Sequence, residues 1–222
     1  MIFDLSVLGS YWGSLLEGLV STLWLCATGA AAAGFMGLVI AAGQARGGPV
    51  IGLLIRGYTA ITLALPFLVL IYIGFFILPE YGLILPPKVV GICTIAIYYG
   101  PYVAEVVRAA VSAIPFGTME AAVAMGMTPL SIAKRVILPQ ALPLLLPTLT
   151  GLLIGLIKDS ALLSVISVHE FMFSAKEVVS ATYAPLEVYV VVALTYWGLT
   201  ALLHSVTRHW EGRLNRGPAG LS

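Results

Sequence analysis

Charged residues are scarce in this chain. Aspartate, glutamate, lysine and arginine together make up 9% of its 222 residues, whereas 60% are hydrophobic. A soluble domain carries about a quarter charged residues, so the composition excludes an ordinary water-soluble protein. With a net charge of +1 and no basic tract, the chain also lacks a surface that would follow a nucleic-acid backbone. The composition therefore predicts an integral membrane protein that contacts the lipid bilayer and no nucleic acid.

Cysteine and histidine are almost absent, with two and three copies. Cys26 and Cys93 lie in apolar stretches without the spacing of a metal site, so we expect two free thiols in the core and no metal. Ser160 and His169 flank a polar segment that lacks a Gly-x-Ser-x-Gly sequence, which disfavours an intramembrane serine protease. His169-Glu170 is not followed by the second histidine of a metalloprotease. We therefore predict no catalytic residues and no enzymatic activity.

The chain also has no Gly-x-x-x-x-Gly-Lys-[Ser/Thr] sequence and so no phosphate-binding loop of its own. It has no internal repeat of the kind found in secondary transporters, which disfavours that class. The N-terminal stretch carries Asp4 and Glu17 and no basic residue, so we do not expect a cleaved signal peptide. The first apolar stretch is expected to remain in the protein.

Five apolar stretches are candidates to cross a bilayer, which takes about 20 residues of helix. Between charged residues they cover 18–45, 57–79, 89–104, 136–157 and 188–207. The third continues in apolar pattern past Glu105 and Arg108, which are three residues apart. These two side chains can pair on one helix face, as a structural ion pair or a link to the following loop rather than a proton relay. The sequence predicts an all-α polytopic membrane protein, a single transmembrane domain over 1–222.

The basic residues predict the orientation, because lysine and arginine favour cytoplasmic loops. One set of loops holds eight of the eleven: Arg46, Arg56, Arg108, Lys134, Arg135, Arg208, Arg213 and Arg216. The opposite side holds Lys88, Lys158 and Lys176, together with Asp4, Glu17, Glu80, Glu170, Glu177 and Glu187. We therefore predict an N-terminus outside and a C-terminus inside.

Two periodic patterns suggest how the helices pack. Small residues recur every fourth position in the first stretch, at Gly29, Ala33 and Gly37. This spacing lets helices approach closely in lipid, although chance is an alternative in so alanine-rich a region. Prolines recur at the same spacing in the fourth stretch, at Pro139, Pro143 and Pro147. We expect that helix to bend and to face the bundle or a translocation path.

The segment between the last two stretches is too polar to span. Its pattern predicts a short amphipathic helix on the outer surface, with a break at Tyr183-Ala184-Pro185. The apolar positions are Phe171, Ala175 and Val178, and the charged positions elsewhere on the helix are Glu170, Lys176 and Glu177. This element either meets a soluble partner or caps the bundle. Lys158 and Asp159, just before it, either stabilise the membrane boundary or line the outer mouth.

The loop over 115–139 contains the sequence GTMEAAVAMGMTPLSIAKRVILP. We expect a first helix capped at or near Thr118, with Glu120 in its first turn. Gly126 should end it, and Thr128-Pro129 should begin a second helix. The first helix would show a face of alanines, which lets another protein approach closely.

This loop resembles the EAA loop of importer-type ABC transporter permeases. The matching positions are Glu120-Ala121-Ala122, Gly126 and Val136-Ile137-Leu138-Pro139, with Val136 where isoleucine is usual. The flanks YYGPYVAEVVRAAVSAIPFGTMEAA and RVILPQALPLLLP…LIKDSALLSVISVHEF resemble the polar amino acid branch, the histidine/glutamine/arginine/opine-type permeases. The resemblance runs over about 18–213, within a family-like core of about 15–214. Five spans with an outside N-terminus are this branch's usual form, the type I importer fold.

The resemblance implies a location in the bacterial inner membrane and three protein partners. These are a cytoplasmic ABC ATPase dimer, a second permease subunit and an extracytoplasmic solute-binding protein. ATP and Mg²⁺ would be used by the ATPase, and this chain would bind no cofactor. Closure of the ATPase dimer would move the loop and switch the path between outward and inward access. The implied coupling residues are Glu120 as the polar contact, with Ala121, Ala122, Gly126 and Pro139 completing the motif.

The sequence departs from the branch in two spans. Leu63 and Leu70 stand where arginine and glutamine are usual, and Thr150-Gly151-Leu152 stands where Gly-Asn-Gln is usual. Polar side chains inside a membrane are costly and usually functional, so their loss matters. We favour a heteromeric pair in which a second permease supplies the substrate contacts. The alternative is a less charged solute, or a path without a binding site of its own. The remaining path candidates are Thr59, Thr62, Pro66, Tyr98, Tyr99, Thr148 and Thr150.

Overall fold

The computed structural model describes residues 5–214, and every regular element in that part of the chain is helical. The α-helices are α1 (Trp12–Arg46), α2 (Pro49–Ala64), α3 (Phe67–Tyr72), α4 (Pro87–Ser112), α5 (Phe116–Ala124), α6 (Pro129–Ile132), α7 (Leu138–Asp159), α8 (Phe171–Thr182) and α9 (Pro185–Leu214). Turns of 3-10 helix cover Leu5–Leu8, Leu78–Tyr81 and Ser160–Ile166, and π-helical turns cover Ile73–Ile77 and Ala133–Ile137. Asp4, Arg216 and the side chain of Arg213, which entered the orientation argument, lie outside the described residues.

Four helices are long and apolar enough to span a membrane, and the α2–α3 pair supplies a fifth span if it is counted as one. The all-α membrane fold is therefore confirmed, and the second candidate span, predicted over 57–79, contains a break between α2 and α3. The helix axis turns by 107° between α2 and α3. Pro66 causes this break, because proline disfavours helical backbone in the residue before it. Leu65 is accordingly extended, with ψ of 140°.

The fourth span begins earlier than the sequence predicted. Helix runs continuously from Pro129 to Ile166, so the second loop helix is the start of this span and not a separate element. A proline ring inside a helix clashes with the carbonyl four residues earlier, which is Arg135 for Pro139. The wider π-helical turn at Ala133–Ile137 is centred on Arg135 and accommodates that ring without breaking the helix.

Helices α1 and α4 form the centre of the bundle, and the small-residue spacing of α1 is confirmed as the reason. A Cβ atom at Gly29 would lie 2.9 Å from the side chain of Ile95. At Gly37 it would lie 2.6 Å from Val103 and 2.9 Å from the carbonyl oxygen of Gly100. At these two positions a side chain would not fit while the helices pack at this distance.

A second apolar cluster joins α8 to both ends of the chain. Phe171, Ala175 and Val178 are buried against Leu15 of α1 and Val188 of α9, so the predicted amphipathic helix is confirmed. The helix ends before Tyr183, whose left-handed backbone conformation terminates it at the predicted position. The cysteines behave differently from each other. Cys26 is a buried free thiol, as expected, whereas Cys93 lies on an exposed face of α4 and is not in the core.

Candidate functional site

The loop at the N-terminal end of α7 folds into the predicted helical corner. Gly126 has φ of +71°, a left-handed conformation that favours glycine. Its N–H bonds to the carbonyl of Val123, and that of Met127 bonds to Ala122, which is the Schellman pattern of a helix end. The hydroxyl of Thr128 then accepts a hydrogen bond from the N–H of Ser131 and caps the next helix. The termination at Gly126 and the restart at Thr128-Pro129 are confirmed.

The start of α5 differs from the prediction. The helix begins at Phe116, and Thr118 lies inside it, so Thr118 is not the cap and Glu120 is not in the first turn. Pro115 fixes the entry instead, because its constrained φ is followed directly by helical residues. Its carbonyl accepts the N–H of Thr118 at 3.0 Å.

The exposed face of α5 carries more than alanines. Glu120, Ala121, Gly126 and Pro139 are exposed, but Ala122 is only 1% exposed and packs inside this chain. The most prominent side chains are instead apolar: Phe116 is 76%, Val123 64% and Met125 73% exposed. Sequence reasoning missed these residues. The spacing of seven between Phe116 and Val123, which places both on one helix face, was the available signal.

The path candidates of α2 and α7 do not converge. Thr59 and Thr62 are buried in α2, and the hydroxyl of Thr59 has no hydrogen-bond partner within the described residues. Pro66 is exposed at the bend. Thr150 donates to the carbonyl of Leu146 in its own helix at 2.8 Å, so its hydroxyl is already used.

Tyr98 and Tyr99 form an aromatic cluster with Phe67 and Tyr102, with ring centroids 5.0 to 6.3 Å apart. Tyr99 donates a hydrogen bond of 2.8 Å to Oδ2 of Asp159, which joins α4 to the end of α7. This favours a stabilising role for Asp159. Tyr99 also borders an almost entirely apolar cavity of about 480 Å³ between α1, α4 and α7.

A second groove, of about 560 Å³, lies between α2, α4 and α7. It brings together residues that the sequence analysis considered separately. Leu63 and Leu152, two of the three leucines that replace the usual polar residues, line it together with Thr148 and the charged residues Glu105 and Arg108. The predicted pair is confirmed: Nε and Nη2 of Arg108 donate to Oε2 of Glu105 at 2.9 and 2.7 Å.

At the opposite end of α7, Glu170 is completely buried, although its position had been predicted on the charged side of α8. Its carboxylate caps α8 by accepting the N–H groups of Met172 and Phe173 at 2.9 and 2.7 Å. It also accepts the hydroxyls of Thr22 and Tyr196 at 3.4 and 3.2 Å. Burial raises the pKa of this carboxyl above its ordinary value, and the four hydrogen bonds oppose that shift. A single side chain thus holds α1, α8 and α9 together.

This helical membrane bundle with its two-helix corner matches a known protein family over most of its length. The family model of the binding-protein-dependent transport system inner membrane component matches residues 33–216. The chain belongs to this family. It is therefore a membrane-spanning permease subunit of an ABC importer, located in the inner membrane, and the predicted relationship is confirmed.

Individual relatives extend the match to almost the whole chain. It is 32% identical to the glutamine transport system permease protein GlnP of Escherichia coli (strain K12) over 96% of this chain and 99% of GlnP. It is 35% identical to the L-cystine transport system permease protein TcyB of Bacillus subtilis (strain 168) over 68% of this chain and 65% of TcyB. A crystal structure of an amino acid ABC transporter with histidines has a TM-score of 0.89 and 30% identity, over 96% of this chain and 100% of that one.

Proposed function

We propose that this permease imports polar amino acids or related small solutes and is driven through the loop around α5. The observation that carries the coupling proposal is the exposed face of that loop. Phe116, Val123 and Met125 protrude beside Glu120 from a helix whose C-terminal end is capped at Gly126, at an end of the bundle that this chain leaves uncovered. An exposed apolar patch with a polar neighbour is typical of a protein contact site.

The proposed occupant of this face is a cytoplasmic ABC ATPase dimer, which binds ATP and Mg²⁺ while this chain binds neither. In the predicted orientation the loop is cytoplasmic, and Lys134 and Arg135 follow it on the same side. Glu120 provides the polar contact, and Gly126 keeps the corner small enough for close approach. Movement of the ATPase would pass through α6 directly into α7, because the two form one continuous helix.

The amino acid class is proposed from the relatives, whose names specify glutamine, cystine and amino acids. An extracytoplasmic solute-binding protein would deliver the solute at the opposite end, where α8 lies. A second permease would complete the path, because this chain leaves most of its fourth and fifth spans uncovered. Only 17% of the most apolar 18 residues in Pro129–Ile166, and 17% of those in Pro185–Gly212, are buried within this chain. We favour a different permease over a second copy, since Leu63 and Leu152 leave this chain's groove without polar side chains at those positions.

Co-purification of the ATPase subunit tests the coupling proposal. Glu120→Lys should reduce recovery of the ATPase with the tagged permease, because it reverses the charge on the docking face. Glu80→Lys is the matched control, since Glu80 is an exposed acid just before α4, at the other end of the bundle. Equal loss with both variants would contradict docking at α5.

Stimulation of the complete importer's ATPase by L-glutamine or another amino acid tests the solute class, and no response to any amino acid would overturn it.

Two differently tagged copies of this chain distinguish a homomeric permease pair from a heteromeric one. Co-expressed with the other importer subunits, they should not co-purify from a heteromeric complex with one copy of each permease. Their recovery in one complex would show a homomeric pair and contradict the heteromeric proposal.

A further inference from the structure

The ion pair in the α2–α4–α7 groove uses only part of its bonding capacity. Both hydrogen bonds from Arg108 end on Oε2 of Glu105. Within the described residues, Oε1 of Glu105 therefore accepts no hydrogen bond and Nη1 of Arg108 donates none. A carboxylate offers about four acceptor sites and a guanidinium five donors. The pair thus leaves one acceptor atom and one donor atom unused.

Both charged groups can be reached from the groove. The side chains of Arg108 and Glu105 are 57% and 32% exposed, so a small molecule in the groove can contact both. An exposed pair three residues apart stabilises a helix only slightly, so helix stability alone is a weak reason for two charges in this groove. Charged residues in membrane spans are costly and mark substrate paths by default.

The rest of the groove is largely apolar. Leu63 of α2 and Leu144 and Leu152 of α7 face the pair across it. Thr148 is the nearest polar neighbour on α7, and its hydroxyl makes only a long contact of 3.5 Å with the carbonyl of Leu144. Apolar walls strengthen the electrostatic interactions of a ligand that bonds to the pair. They offer no charged partner to the remainder of that ligand.

We propose that Glu105 and Arg108 bind the α-ammonium and α-carboxylate groups of the transported amino acid. The α-ammonium group donates to Oε1 of Glu105, and the α-carboxylate accepts from Nη1 of Arg108. These two groups are common to all α-amino acids, so this chain recognises the class of solute, whereas its leucines contact the side chain without selecting a polar one. The inference rests on the amino acid import proposed above. It leaves polar selectivity to the second permease and the binding protein.

The location of the pair gives the site a place in transport. Glu105 and Arg108 lie seven and four residues before the end of α4 at Ser112. At about 1.5 Å per residue, this places them roughly 10 and 6 Å from the helix end next to the coupling loop. The site is therefore at the inner end of the proposed path, where movement of the loop would most directly change its geometry.

Binding to the purified permease–ATPase complex without the binding protein tests the proposal, because the binding protein's own specificity is then excluded. The probes are L-leucine, 3-methylbutylamine, which lacks the α-carboxylate, and 4-methylpentanoate, which lacks the α-ammonium group. Arg108→Gln should weaken L-leucine binding by about 10- to 100-fold, as expected for one charge-assisted hydrogen bond, and leave 3-methylbutylamine binding unchanged. Glu105→Gln should weaken L-leucine in the same way and leave 4-methylpentanoate unchanged. L-Glutamine serves as a second amino acid and should respond as L-leucine does.

The controls separate this inference from the proposed function. Arg56→Gln removes one charge from the exposed face of α2, outside the groove, and should change no binding constant. If Arg108→Gln weakens the amino acid and its decarboxylated analogue equally, the pair is structural and the inference is overturned, while amino acid import stands. If ATPase activity of the complete importer responds to no amino acid, the proposed function itself fails. Arg108→Lys replaces Arg108→Gln if the latter does not fold, and its intermediate weakening of L-leucine alone supports the same assignment.

Discussion

The two ends of helix α7 differ in how they are completed. Beyond its C-terminal end, Glu170 is fully buried and each of its hydrogen bonds is made within this chain. Before its N-terminal end, α5 has a capped C-terminus at Gly126, but Phe116 and Met125 are exposed. The first region is buried by contacts within this chain, whereas the second is a folded surface whose apolar side chains this chain leaves exposed. Substitutions should therefore affect stability first around Glu170 and transport first around Gly126.

The largest effect on transport is expected from Gly126→Asp. Aspartate tolerates left-handed backbone better than most residues, so the φ of +71° should not prevent folding. Its carboxylate would, however, be buried under the docked ATPase without a partner, at a cost of about 2–5 kcal/mol. We expect uptake to be abolished while membrane insertion and thermal stability remain. Uptake of a radiolabelled amino acid by cells expressing the complete importer measures the first, and melting of the purified chain the second.

Gly48→Asp is the matched control for this substitution. Gly48 precedes α2 on the same predicted side of the membrane, is exposed, and has open space at its Cβ position. Aspartate there is a favourable helix N-cap. Uptake should match that of the wild type. If Gly126→Asp also transported normally, the distinction between the two ends of α7 would be lost.

The loop shows what local sequence patterns can predict. Gly126 and Thr128-Pro129 determine the corner through backbone conformation and capping, which depend on neighbouring residues, and both predictions were confirmed. The start of α5 was misplaced because Thr118 is a good cap in isolation, while Pro115 had already fixed the helix entry. The burial of Ala122 and the exposure of Phe116 depend on which face of α5 packs against the rest of this chain. The spacing of Phe116 and Val123 indicates that they share a face, but not whether that face is covered.

The largest effect on stability is expected from Glu170→Ala. It would leave the N–H groups at the start of α8 and the Tyr196 hydroxyl without their acceptor. Loss of a helix cap together with unsatisfied buried donors should lower the free energy of unfolding by about 2–5 kcal/mol. Glu177→Ala, on the exposed face of the same helix, should change it by less than about 0.5 kcal/mol. Thermal melting in detergent compares the two variants, and equal stability would show that the Glu170 contacts contribute little.

Glu170 should also give the fold a pH dependence of definite sign. Burial raises the pKa of its carboxyl, so the folded state binds the proton more tightly than the unfolded state does. The stability contributed by protonation is fully present below the ordinary glutamate pKa and is lost as pH rises through the raised pKa. Glu170→Gln should flatten this part of the profile. A wild-type profile without that slope, or a Gln variant that keeps it, would contradict the assignment to Glu170.

A smaller effect on stability is expected between the two ends, where α1 and α4 pack. Gly37→Ala would place a methyl group 2.6 Å from Val103, so we expect a loss of about 1–3 kcal/mol from overpacking. Gly34→Ala lies one turn earlier on the same helix, where nothing is within 4 Å of the added Cβ, and should be neutral or slightly stabilising. Melting of both variants in one detergent measures the difference. Equal values would show that the close approach of α1 and α4 is not the limiting contact.

In the membrane-spanning helices, too, local patterns could be predicted from the sequence, whereas the contacts between helices could not. The spacing of Gly29 and Gly37 indicates a helix contact, but it does not identify α4 as the partner helix. The apolar stretch around Pro66 was long enough for one span, and only the structure shows that the helix axis turns there. The groove that joins Leu63 to Glu105 depends on that turn. Its residues could be predicted one at a time but not as a site.

The smallest effect should come from Tyr99→Phe, which tests whether a polar contact or packing joins the C-terminal end of α7 to α4. The substitution removes the hydrogen bond to Asp159 and leaves the aromatic packing with Phe67 and Tyr98. A loss of about 0.5–1.5 kcal/mol is expected for one such bond. Tyr72→Phe is the control, because the Tyr72 hydroxyl has no hydrogen-bond partner within the described residues, and it should be neutral. If both variants melt with the wild type, aromatic packing alone joins the helices, and Asp159 is free to serve the outer mouth of the path.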